Sequence, residues 1–140
     1  MNTPVASVAP VSAITTEVLL QVFDLPVSFH RCLIPLTGGV TAALMLSQAI
    51  WTTQELDPAV DGWFTRSRDQ WTQDTGLSRW ELETARRALR DAGFLDERRA
   101  GLPAKLWYRV RADRVWLALQ AEAHRASLMK RDAALQEAGE

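Results

Sequence analysis

Between Ser67 and Gly93 the chain spells out two helices joined by a very short turn. Ser67 has the side chain of a helix N-cap and stands ahead of Arg68–Thr75, a short helix with Trp71 on its inner side. Gly76 supplies the left-handed backbone that stops this helix. Ser78 then opens the next. Ser78 and Glu81 form a capping box, in which each side chain accepts a hydrogen bond from the other residue's backbone N–H. Leu82, Ala85, Leu89 and Ala92 recur at helical spacing, and Gly93 closes the element. Two helices joined this tightly must cross steeply, so the second stands out from the body.

The flanks supply the rest of a small fold. Val40 to Thr53 reads as a helix whose buried stripe is Val40, Ala43, Leu44, Ser47, Ile50 and Trp51. Glu55 to Gly62 is a loop, and Gly62 to Thr65 a short strand. Phe94 to Arg99 and Leu106 to Arg111 read as two strands of a hairpin, with Leu106, Tyr108 and Val110 on one face. From Ala112 the chain is helix-prone almost to its end, with Val115, Trp116, Leu119 and Ala123 as its first apolar stripe. Pro26 to Pro35 reads as extended, while Glu17 to Phe23 fits a strand or a helical turn equally well. The expected division is a flexible tail over 1–16, a domain over 17–119 and a helical extension over 120–140. The fold class is mainly α with a small β-hairpin, that is, α+β.

The run from Trp71 to Leu95 resembles the helix-turn-helix of bacterial winged-helix proteins, in which Gly-Leu-Ser separates the two helices. Leu36–Gly38, Ala42–Trp51, Asp61–Phe64 and Pro103–Val110 extend that likeness to residues 29–117. It resembles winged-helix domains of phages, plasmids and integrated elements, including N-terminal parts of replication proteins. The resemblance implies a winged helix-turn-helix with an additional C-terminal helix. It also implies a role as transcriptional regulator or replication accessory factor, with double-stranded DNA as partner.

Charge is distributed in keeping with that expectation. The formal net charge is −1. Residues 1–61 nevertheless carry one arginine against five acids, and residues 62–116 twelve basic residues against eight acids. Positive charge gathered in one segment suits a phosphate backbone. On the second helix, Arg79, Glu83, Thr84, Arg87 and Arg90 fall outside the apolar stripe, and Arg86 borders it. Ser78, Arg79 and Trp80 open that helix, where base edges are usually met. Arg98, Arg99 and Lys105 are phosphate candidates on the hairpin, and Arg66, Ser67 and Arg68 at the N-terminus of the first helix. The same arginines could instead form a solvated face paired with Glu83 and Asp91. A winged-helix protein–protein interaction module without DNA binding, docking on replication or transcription proteins, is the alternative. The near-neutral charge favours it.

Other classes find little support. The single cysteine, Cys32, excludes an intrachain disulfide and is expected to be a small buried hydrophobe in a reducing cytoplasm. His30 and His124 lack a metal-ligand pattern, and no catalytic constellation, cofactor loop, signal peptide or membrane span is expected. Trp51, Trp63, Trp71 and Trp107 are expected in the core, and Trp80 outside it. The weak apolar face of residues 120–140, with Ala123, Ala126, Leu128 and Leu135, leaves three outcomes open: a homodimer through the C-terminal helix, docking on another protein, or fraying.

Overall fold

The computed structural model describes residues 11–139. It is mostly helical with one small antiparallel sheet, as the α+β expectation requires. The helices are α1 (Thr16–Val22), α2 (Ile34–Thr37), α3 (Val40–Gln54), α4 (Arg68–Thr75), α5 (Arg79–Asp91) and α6 (Ala112–Ala138). The strands are β1 (Phe64–Thr65), β2 (Leu95–Ala100) and β3 (Lys105–Val110), in the order β1-β3-β2. The sheet is therefore a hairpin with a third short strand, β1, on its outer side, where Phe64 faces Tyr108.

The α4–α5 unit forms as its local chemistry dictates. Ser67 accepts from the Gln70 N–H at 3.2 Å, and the Gln70 side chain accepts from the Ser67 N–H at 2.8 Å. Ser78 and Glu81 repeat the arrangement at 3.2 and 3.0 Å. A hydroxyl N-cap is worth about 1 kcal/mol. The two hydrogen bonds from Ser78 hold the Glu81 carboxyl below the ordinary carboxylate range. Gly76, at φ +74°, ends α4 in the left-handed region that a side chain disfavours. Leu77 drops into the core between the two helices.

The core has α3 at its centre. Ala42, Ala43, Met45, Leu46 and Ala49 are buried, and α2, α4, α5 and β3 all pack on this helix. The expected single stripe holds only in part: Ala43 and Ser47 are buried and Leu44 and Ile50 pack on the core, but Val40 and Trp51 are exposed, and Ala42, Met45, Leu46 and Ala49 are buried as well. A helix surrounded on several sides buries more than one face, and a stripe reading assumes one. Phe64, Trp71 and Tyr108 close the core against the sheet. Trp71 meets Tyr108 edge-on at 5.6 Å between ring centroids and Phe64 at 6.1 Å. Leu82, Ala85 and Leu89 seat α5 as expected, but Ala92 is exposed at its C-cap.

The N-terminal third departs most from expectation. The first ten residues of the expected tail lie outside the described residues. Val11–Ala13 forms a single 3-10 turn, and Thr15 caps α1 through its side chain. Glu17 to Phe23 is thus helical up to Val22, and none of its residues is buried. Pro26 to Pro35 is not one extended segment. It runs irregularly to His30, then enters a 3-10 turn, Arg31–Leu33, that leads directly into α2. Pro35 sits in the first turn of α2, where its missing N–H has no helical partner to lose. The His30 N–H donates to the buried Ser47 hydroxyl at 3.0 Å, tying this segment to α3. Cys32 is exposed rather than buried, because Leu33 takes the inward position of that turn.

The expected extension over 120–140 is the outer part of α6. At 27 residues α6 is about 40 Å long. Val115 is its one buried residue, with Ala118 and Leu119 packed partly against the core. Among the described residues no single helix is long and apolar enough to cross a membrane.

Candidate nucleic-acid interface

Helical spacing sorts the outer residues of α5 into two rows. Trp80, Thr84 and Arg87 are all exposed and form the outermost row, which ends at Asp91. Arg79, Glu83 and Arg86 form the flanking row, and all three line a cleft beneath the hairpin. That cleft has a volume of about 540 Å³. Its walls are the ends of α4 and α5 and the inner face of β2–β3. Leu82, Leu106, Trp71 and Tyr108 contribute to its floor.

Strand alternation determines which hairpin residues reach the cleft. Leu95, Glu97 and Arg99 point inward from β2, and Asp96 and Arg98 point outward. Arg99 therefore lines the cleft, whereas Arg98 lies on the other face of the sheet. There its guanidinium stacks over Trp63 at 4.4 Å, with Arg109 over the same indole at 4.7 Å. Trp63 and Trp107 are half-buried on that outer face, and Trp51 is 63% exposed. Only Trp71 of the four expected core tryptophans is fully buried. Trp80, 75% exposed, stands outside as expected.

The expected arginines have different surroundings. Arg68, Arg79 and Arg99 have no ion-pair partner among the described residues, and all three line the cleft. Arg66 lines it too but is held internally: it donates to Thr52 Oγ1 at 2.6 Å and lies 2.9 Å from Asp74. The Arg66–Asp74 pair is an ion pair by distance, although its N–H is not aligned as a hydrogen bond. Arg87 shares Glu83 at 3.3 Å, and Arg90 pairs with Asp91 at 3.2 Å. Ser67 and Lys105 line a smaller adjoining depression with Arg66. The Ser78 hydroxyl is engaged in its cap.

The sequence left the role of Arg86 open, and the structure gives it a definite one. Its guanidinium takes Glu97 through both carboxylate oxygens at 2.6 and 2.7 Å, and Glu83 at 2.6 Å. Hydrogen bonding to Glu83, then to Glu97, raises the Arg86 pKa above its ordinary value despite partial burial. The bond from Arg86 in turn lowers that of Glu83. This clamp ties α5 to β2 and so sets the hairpin against the helix. Glu97 went unrecognised. Counting alternate residues from the apolar Leu95 would have placed it on the face toward α5.

Trp71 and Tyr108 carry the remaining polar atoms of the floor. Burial raises the Tyr108 phenol above its ordinary pKa, partly offset by the Trp71 indole beside it. The two groups are close, yet the indole N–H meets no described acceptor with hydrogen-bond geometry. An edge-on ring pair need not aim the indole N–H at the phenol oxygen. Among the described residues no three His, Cys, Asp or Glu side chains gather as a metal site. No family model, no curated protein and no solved structure matches this chain.

Proposed function

We propose that this protein is a winged helix-turn-helix that binds double-stranded DNA, with α5 in the major groove and the β2–β3 hairpin as its wing. The carrying observation is the outer row of α5: Trp80, Thr84 and Arg87 are exposed, and no other described element covers them. A major groove is wide enough for a helix presented in this way. Carboxylates do not blanket that row, because Glu83 is matched by Arg86 and Arg87 and Glu81 by the Ser78 cap. Arginines that line the neighbouring cleft supply attraction for phosphates. The proposed role is that of a transcriptional regulator or replication accessory factor, without enzymatic activity.

Fluorescence anisotropy with random duplex DNA over a salt series tests this. Binding that weakens steeply with salt is expected. Arg87→Ala is expected to lose about 1–3 kcal/mol of discrimination between preferred and random duplexes. Absence of salt-dependent binding at low ionic strength would remove the assignment.

We extend the proposal to a homodimer through α6. Beyond Leu119 the described residues of this helix are exposed except Glu122, and Leu128, Met129 and Leu135 are among them. A helix with so little cover gains stability from a partner. Light scattering is expected to report a dimer for the full chain and a monomer for the Leu128→Glu, Leu135→Glu double variant. A monomeric wild-type chain at high micromolar concentration would exclude it.

A second reading, the protein-interaction module, is favoured by α1. Leu20, Val22, Phe23 and Leu25 are exposed there, an apolar run that suits a protein surface better than DNA. Failure of DNA binding in the salt series would make this the better account.

A further inference from the structure

The cleft between α4, α5 and the hairpin has its own chemistry, separate from the outer row of α5. Three guanidinium groups, Arg68, Arg79 and Arg99, converge on it from three elements without internal partners among the described residues. The other charges lining it are neutralised: Arg66 by Asp74, and Glu83 by Arg86 and Arg87. Like charges gathered on one concavity repel one another, so this arrangement is stable only if solvent or an anion offsets them.

Leu82, Leu106, Trp71 and Tyr108 close the floor of the cleft. At about 540 Å³ the cleft lies within the size range of ligand pockets. Guanidinium forks match phosphate oxygens in pairs of parallel hydrogen bonds.

We propose that this cleft is a phosphate-binding pocket in which Arg68, Arg79 and Arg99 hold clustered phosphates carrying two or three negative charges. Such a cluster has two sources: successive phosphates of a nucleic-acid strand, or the polyphosphate of a free nucleotide. The first rests on the DNA-binding reading; the second does not. Arg79 is then a phosphate holder rather than a reader of base edges, although it opens α5. Sequence reading is left to Thr84, Arg87 and Trp80.

The test uses the full chain with two probes, inorganic tripolyphosphate and random duplex DNA. Arg68, Arg79 and Arg99 are changed to Gln singly and together, and Arg125→Gln on α6 is the control. All four side chains are exposed, so folding is expected to survive, and circular dichroism melts check it. The expected result is saturable tripolyphosphate binding at near-physiological salt, read by tryptophan fluorescence, that weakens at least tenfold in the triple variant. Arg125→Gln is expected to leave it unchanged. With duplex DNA, each single cleft variant is expected to weaken binding evenly across sequences. It should also reduce the slope of log affinity against log salt by about one.

A cleft-dependent slope without tripolyphosphate binding supports the pocket and assigns it to the strand. Tripolyphosphate binding that depends on the cleft, in a protein that ignores duplex DNA, supports the pocket and assigns it to a free polyphosphate. Duplex binding with an unchanged slope in the triple variant, together with no cleft-dependent tripolyphosphate binding, overturns the pocket and leaves the DNA reading intact. Binding of neither probe overturns both.

Discussion

Trp71→Ala is expected to destabilise the domain by about 3–5 kcal/mol, the range for deleting a buried aromatic side chain. Trp71 is 2% exposed and lies against both Phe64 and Tyr108, so its removal leaves a cavity that the sheet and α4 cannot both fill. α4 is only eight residues long and depends on this ring for its seat. Urea unfolding measures the loss through the shift in midpoint at constant slope. Trp71→Phe keeps most of the ring and is expected to cost well under half as much. A loss below 1 kcal/mol for the alanine variant would mean that the α4 seat lies elsewhere. Phe64 and Tyr108 would then be the next residues to change.

Arg86→Ala is expected to cost about 2–3 kcal/mol, because it strands the Glu97 carboxylate, while Glu83 keeps Arg87. The Arg86 and Glu97 side chains are 16% and 12% exposed, so water screens the pair little. Glu97→Gln keeps the shape, leaves the guanidinium short of charge and is expected to cost somewhat less. Replacing both with Met is expected to cost less than Arg86→Met and Glu97→Met added together, since a matched apolar pair leaves no orphaned charge. Thermal unfolding of the four proteins closes the cycle. A double variant no better than the sum of the singles would show that the clamp contributes nothing as a pair. Under the DNA-binding proposal the same variants also weaken duplex affinity without removing a contact, because the hairpin loses its setting against α5.

What could be read from the sequence follows the range of the forces involved. Ser67, Gly76, Ser78 and Glu81 act within four residues of themselves, and all took the positions their chemistry demands. The two strands of the hairpin were also legible, since alternation and the intervening loop are local. Cys32 and Trp51 were misplaced because burial depends on what packs alongside, and no local pattern carries that. The partial failure of the α3 stripe has the same origin: a central helix has several neighbours and so no single wet face. At the candidate site the helix residues were identified from the outset. Their grouping was not, because Arg99 and Arg79 meet only through the hairpin's register, and Arg98 leaves that group through the same alternation. Arg86 needed Glu97, eleven residues on and in another element, before its role could be read.

Neither glycine nor proline interrupts α6 between Ala112 and Ala138. Rods of this kind transmit torque, since bending one means breaking successive backbone hydrogen bonds rather than swinging a hinge. A grip applied near Leu135 therefore acts on Val115 with a long lever of about 30 Å, and a few degrees of tilt there become about 2 Å at the far end. Whatever holds the tip would steer the heading of the whole body.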